Sequence, residues 1–150
     1  LRRRLNPSPR REEEPGGTMV EAVVHGSMQR DHCLWSNERV VVFDLEKAAW
    51  GARAADVAIT AYHMGYRCFD EQLEPRRVVA YLTFYSEAAT PTLTPLERHR
   101  LPALLLGAFF HDLRVLPSEG ASPKTLRRHL LYTLDFYWNR EALGRALMDL

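Results

Sequence analysis

The chain has 150 residues, 46% of them hydrophobic and 10% aromatic, which suffices for one hydrophobic core and one domain. Its 20 Lys and Arg against 19 Asp and Glu leave a formal net charge of +1, too little field to gather nucleic acid. No run approaches the roughly 18 apolar residues of a bilayer span and no apolar leader follows the first arginines, so a cytoplasmic protein without nucleic-acid or membrane partners is expected. In that compartment Cys33 and Cys68 are expected as reduced, buried thiols.

Leu1 to Gly17 holds three prolines, two arginine clusters and a Glu triplet, a composition that neither packs nor keeps a regular element. Residues 1–18 are therefore expected to be a mobile lead-in and 19–150 the folded unit. The opening Leu in place of Met reads as the start of a fragment. Val20 to Val24 predicts a short strand that leads into a polar cluster, His25 to His32. Cys33-Leu34-Trp35 and Arg39 to Phe43 are apolar runs separated by Ser36-Asn37-Glu38, a polar triplet rich in turn formers, and predict a hairpin. Asp44 and Glu46 leave its second strand at alternating positions. Both carboxylates are then expected on one face, where a hard cation such as Mg²⁺ can be shared with phosphate oxygens.

After a turn at Trp50-Gly51, the spacing of Ala54, Val57, Ala58, Ala61 and Tyr62 predicts a helix from about Arg53 to Met64. Pro75 is suited to open a second helix, which Val78, Val79, Leu82 and Tyr85 carry through about Ser86. Thr94-Pro95-Leu96-Glu97 is a capping box with proline at the first helical position. The apolar run from Leu101 to Leu116 that follows is expected to form the buried centre of the fold. Pro117, Gly120 and Pro123 end that helix, Ser122 caps the next, and Leu126, Leu130, Leu134 and Tyr137 are its expected stripe. Asn139 is expected to cap a last short helix through Leu147. The cluster Tyr132, Phe136, Tyr137 and Trp138 reads as core. His25, Asp31, His32 and Cys33 match no standard zinc spacing, and Gly26-Ser27-Met28 lacks the context of a hydrolase elbow.

The frame His25-Gly26-Ser27, with His32 five residues after Ser27 and then Val42-Phe43-Asp44-Leu45-Glu46, resembles the catalytic segment of the aminoglycoside phosphotransferase and choline kinase-like family. That family carries His-Gly-Asp-x-x-x-x-Asn, then Asp-x-Glu or Asp-x-Asp, then a glycine-bearing loop and aspartate-leucine-alanine on a helix. The last of these is similar to Asp56-Val57-Ala58 here. The resemblance covers His25 to Ala58 specifically and the helical remainder loosely. It implies a mainly α (α+β) fold, the helical carboxy-terminal lobe of a protein-kinase-like fold, with a small antiparallel β-hairpin carrying the catalytic-type loop.

The resemblance also implies an activity, transfer of the γ-phosphate of ATP to a hydroxyl of a small-molecule acceptor with Mg²⁺. Asp44 would hold the metal, with His32 at the asparagine position helping and Glu46 beside them at the cofactor. His25 would be a hydrogen-bonded loop residue and Asp56 a brace that accepts bonds from the loop backbone, where the residue pattern alone gives a first-turn aspartate favoured by the helix dipole. Ser27 stands where the family has its catalytic aspartate. A hydroxyl that does not ionise near neutral pH is a poor base, which leaves Asp31 as the nearby alternative and implies impaired transfer. The family's ATP lobe, with its glycine-rich loop and strand-borne lysine, has no counterpart in residues 1–150, so the expectation is either that the lobe lies upstream of Leu1 or that the protein does not use ATP in the family's way. The rival expectation is a non-catalytic pseudokinase, a module that binds a ligand or partner.

Overall fold

A computed structural model describes residues 16–36, 38–65 and 75–148. Within them the chain is mainly helical, with two small antiparallel sheets. Strands β1 (Glu21–Val24), β2 (Cys33–Trp35), β3 (Val40–Val42) and β4 (Ala49–Ala52) precede helices α1 (Arg53–Gly65), α2 (Pro75–Ala88), α3 (Pro95–Val115) and α4 (Pro123–Met148). Cys68 and most of the expected lead-in lie outside the described residues. No described helix is long and apolar enough to cross a membrane.

The expected hairpin forms, with Cys33 opposite Val42 and Trp35 opposite Val40. A second sheet was not legible in the sequence, because Trp50-Gly51 reads as a turn and is instead the middle of β4. There Gly51 faces Ala22 and Trp50 faces Val23 in antiparallel register, and the Trp50 indole donates across the pair to Glu21 Oε2 at 3.0 Å. Gly51 has no positive φ, so it is an ordinary strand residue that imposes no reversal.

The core is a helical cluster. Val57, Ala58, Ala61 and Tyr62 of α1 meet Val78 and Leu82 of α2 and Leu101, Leu105 and Phe109 of α3, with Leu93 closing one side. The α1 face is the one the spacing predicts. Helix α3 is not buried all round, however: it buries the single row Glu97, Leu101, Leu105 and Phe109, while Phe110 is 54% exposed. Leu104 and Ala108 beside that row are only partly buried, so α3 is amphipathic, with one buried face and not a buried circumference.

Helix α4 departs further from expectation. It runs unbroken through position 139 to Met148, so no helix starts at Asn139. Its buried residues are His129 and Thr133, flanked by half-buried Tyr132 and Phe136, and the expected stripe at Leu130, Leu134 and Tyr137 faces outward. Of the aromatic cluster, Tyr137 and Trp138 are therefore surface residues. Polar side chains take the inner face because their hydrogen bonds are met there. Thr133 Oγ1 donates to the His129 carbonyl at 2.9 Å, and His129 Nε2 lies 3.0 Å from the Tyr62 hydroxyl.

One buried carboxylate joins three segments. Glu97 completes the predicted capping box, its backbone N–H donating to Thr94 Oγ1 at 3.2 Å and its Oε2 accepting from Thr94 N at 2.8 Å. The same side chain pairs with Arg53, at the start of α1, and accepts from Val20 N at 3.3 Å. Arg53 in turn donates to the carbonyls of Pro91 and Thr92, and its own backbone N–H donates to Val20 O at 2.9 Å. Burial pushes the Glu97 carboxyl up, but the bonds from Arg53, Thr94 N and Val20 N outweigh it and hold the group below the usual carboxylate range. The chain entering β1 is thereby fixed to the starts of α1 and α3, which sets where β1 delivers the next residues.

Candidate active site

The segment after β1 turns at Gly26, whose φ is +81°. A Cβ there would stand 2.7 Å from the Lys47 carbonyl oxygen, so both the backbone sign and the close approach require glycine. Asp56, in the first turn of α1, accepts two hydrogen bonds from this turn, from His25 N at 3.1 Å and Gly26 N at 2.8 Å. His25 is buried, and its ring Nε2 donates to the Phe43 carbonyl at 3.0 Å, tying the turn to the exit of β3. One short 3₁₀ turn, Arg30–His32, then leads into β2.

Rings and carboxylates follow from that frame. His25 and His32 stack with centroids 5.4 Å apart and planes 18° apart, and His32 Nε2 lies 3.2 Å from Asp44 Oδ2. Asp44 has φ 61° and ψ 54°, the only non-glycine positive φ among the described residues. Aspartate tolerates this left-handed region better than most residues, at a cost of about 1 kcal/mol. Glu46 lies within the 3₁₀ turn Leu45–Lys47. The alternation of an extended strand therefore does not govern Asp44 and Glu46, and the expectation that both carboxylates share a strand face fails at the left-handed residue between β3 and that turn.

A cavity of about 730 Å³ opens beside the turn, lined on one side by Gly26, Ser27, Gln29 and Lys47 and on the other by residues of α1 and α3. His25 instead lines a separate cavity of about 320 Å³ with Cys33, Asp56 and Tyr81. The two cavities divide the predicted group. Ser27 lines the larger one, while His32, stacked on His25, pairs with Asp44, and these two line neither. Asp31 is exposed on its 3₁₀ turn and also lines neither cavity.

The polar wall of the larger cavity was not predicted. It is built by His63 of α1 and by His111 and Asp112 of α3, with Glu119 just beyond that helix. Asp112 Oδ2 accepts from the Tyr62 hydroxyl at 2.6 Å and lies 3.9 Å from His129 Nε2. Burial lowers the His63 pKa, His32 and His111 lower it further, and Asp112 opposes them. His129 is lowered by burial as well, against the pull of Asp112. The signal that could have found this wall is His111-Asp112, a titratable pair inside the apolar run Leu101 to Leu116.

Comparison with protein-family profiles matches residues 9–99 to the phosphotransferase enzyme family. The chain belongs to that family. Comparison with curated proteins and with solved structures returned no significant match. The matched span takes in the whole turn from His25, the Asp44 segment and Asp56, and stops at the first turn of α3. The cavity wall built by His111 and Asp112 lies beyond the matched residues.

The family uses ATP with Mg²⁺, and the residues present fit such an ion in part. Among the described residues no group of three or more His, Cys, Asp or Glu is arranged to hold a metal alone. Asp44 would be the carboxylate to hold it, with His32 beside it, its Nε2 3.2 Å from Asp44 Oδ2, and waters and phosphate oxygens would complete its shell.

Proposed function

We propose that this chain is a phosphoryl-transfer module for a small-molecule hydroxyl, with the acceptor in the 730 Å³ cavity and the donor held as its Mg²⁺ complex at His32 and Asp44. The observation that carries the reading is the pair of bonds from His25 N and Gly26 N to Asp56, which fixes the backbone that presents Ser27 to that cavity. Bound Mg²⁺ would supply charge neutralisation at the phosphates. The chain's own residues would orient the acceptor and exclude water, with Ser27 at the base position offering a hydrogen bond but no proton sink. Transfer should then rest on positioning and electrostatics alone and be slow.

ATP consumption tests this reading, measured on the protein from its complete reading frame and on residues 1–150, with amino-alcohols, sugars and aminoglycosides as acceptors. Wild type should turn over slowly, and Ser27→Asp should raise the rate by about 10²–10⁴-fold, the usual contribution of a general base. Undetectable ATP binding together with silence in both versions would leave the rival reading, a ligand-binding module without transfer. The non-ionising Ser27 is the observation that favours that rival.

A further inference from the structure

We propose that α4 forms the seam of a homodimer, two copies of this chain pairing their α4 helices antiparallel about a two-fold axis at Leu134. The outward face of α4 carries Leu130, Leu131, Leu134, Tyr137 and Trp138, of which Leu130 is 47%, Leu131 55%, Leu134 43% and Trp138 74% exposed. Single exposed apolar residues are ordinary, but five large ones on one helix face form a patch of the kind that marks an interface.

The charges at the ends of the patch identify what covers it. Arg127, Leu130, Leu134, Tyr137 and Glu141 recur at intervals of three and four, the spacing of one straight seam along a helix. Leu134 is its midpoint. Arg127 lies seven residues before Leu134 and Glu141 seven after, so an antiparallel copy centred there sets Arg127 against Glu141 of the partner, and the axis repeats the pair. The same operation sets Leu130 against Trp138 and Leu131 against Tyr137. A parallel copy would set Arg127 against arginine and Glu141 against glutamate, which like-charge repulsion disfavours. An isologous contact needs a patch that complements itself under rotation, and this face does. Glu141 is exposed, with Arg140 of its own helix no nearer than 3.9 Å, and Arg127 has no ion pair among the described residues. The inner face of α4 is already occupied by α3 and Tyr62, and among the described residues nothing covers the outer face.

Sedimentation equilibrium over a concentration series tests the assignment. Wild type should be a monomer–dimer system and Leu134→Glu a monomer. Arg127→Glu and Glu141→Arg should each weaken dimerisation by roughly tenfold, because two exposed pairs are inverted at once. An equimolar mixture of these two variants should form a heterodimer as tight as the wild-type dimer, since every cross-pair is again opposite in sign. Circular dichroism should show unchanged helix content in each variant. A wild-type monomer across the series, a dimer that survives Leu134→Glu, or a mixture no tighter than its components would overturn the proposal. The second result would place self-association on another surface, such as the exposed β2–β3 hairpin.

Discussion

Asp56 accepts bonds from two consecutive backbone N–H groups, so its removal strands donors in a half-buried turn. Asp56→Ala should cost roughly 1–3 kcal/mol by the usual penalty for unsatisfied buried donors, read as a lower urea midpoint at unchanged slope. An unchanged midpoint would show that water replaces the carboxylate. Gly26→Ala tests the same turn from the other side, because its new Cβ would meet the Lys47 carbonyl at 2.7 Å with φ in the wrong half of the map. It should destabilise and also widen the separation of Ser27 and Lys47 across the cavity mouth. If Gly26→Ala melts as wild type does, the close approach to Lys47 is not maintained in solution.

Among the elements, α1 and α3 depend most on each other, through a buried ion pair of Arg53 with Glu97. Glu97→Ala leaves a buried guanidinium without its partner and should cost about 3–5 kcal/mol, against about 0.5–2 kcal/mol for Thr94→Ala, which removes only the cap. Comparable losses in the two variants would mean that Glu97 acts only as a cap residue. The sequence carried the cap plainly, since proline at the first position and glutamate at the third leave little choice. It carried the Arg53 pairing not at all, because the partners are 44 residues apart. The turn from His25 to Gly26 was legible through its neighbours in the motif. The polar wall of the cavity was hidden by packing, as Asp112 and His129 sit where periodicity assigns apolar residues and only the Tyr62 hydroxyl explains them. Helix α4 misled for the same reason: counting leucines put its outer face inward.

Across the molecule, three groups that titrate at or below neutral pH push stability in one direction. His63 and His129 have lowered pKa values, so the folded chain prefers them neutral, and below about 6.5 the unfolded chain binds protons first. Stability from these two is full above that pH and is lost as pH falls toward their folded values. Glu97 is also lowered, so its contribution is present above the ordinary carboxylate range and is lost at more acidic pH, as pH falls through its folded value. The urea midpoint should therefore decline on acidification in two stages, first through the histidine range and later through the acid range. A midpoint that rises between neutral and mildly acidic pH would contradict the desolvation that lowers both imidazoles.

Glu97 receives the amides of Val20 and Thr94, positions that belong to the entry of β1 and the entry of α3. Two amides that share one acceptor cannot be released separately by a motion of that acceptor. In native-state hydrogen exchange they should open together, with one protection factor and one denaturant dependence, as members of a single cooperative unit. A fluctuation that carries the Glu97 carboxylate away frees the entry of β1 and uncaps α3 in one event, so the strand that leads to the turn at Gly26 shares that opening with the helical core.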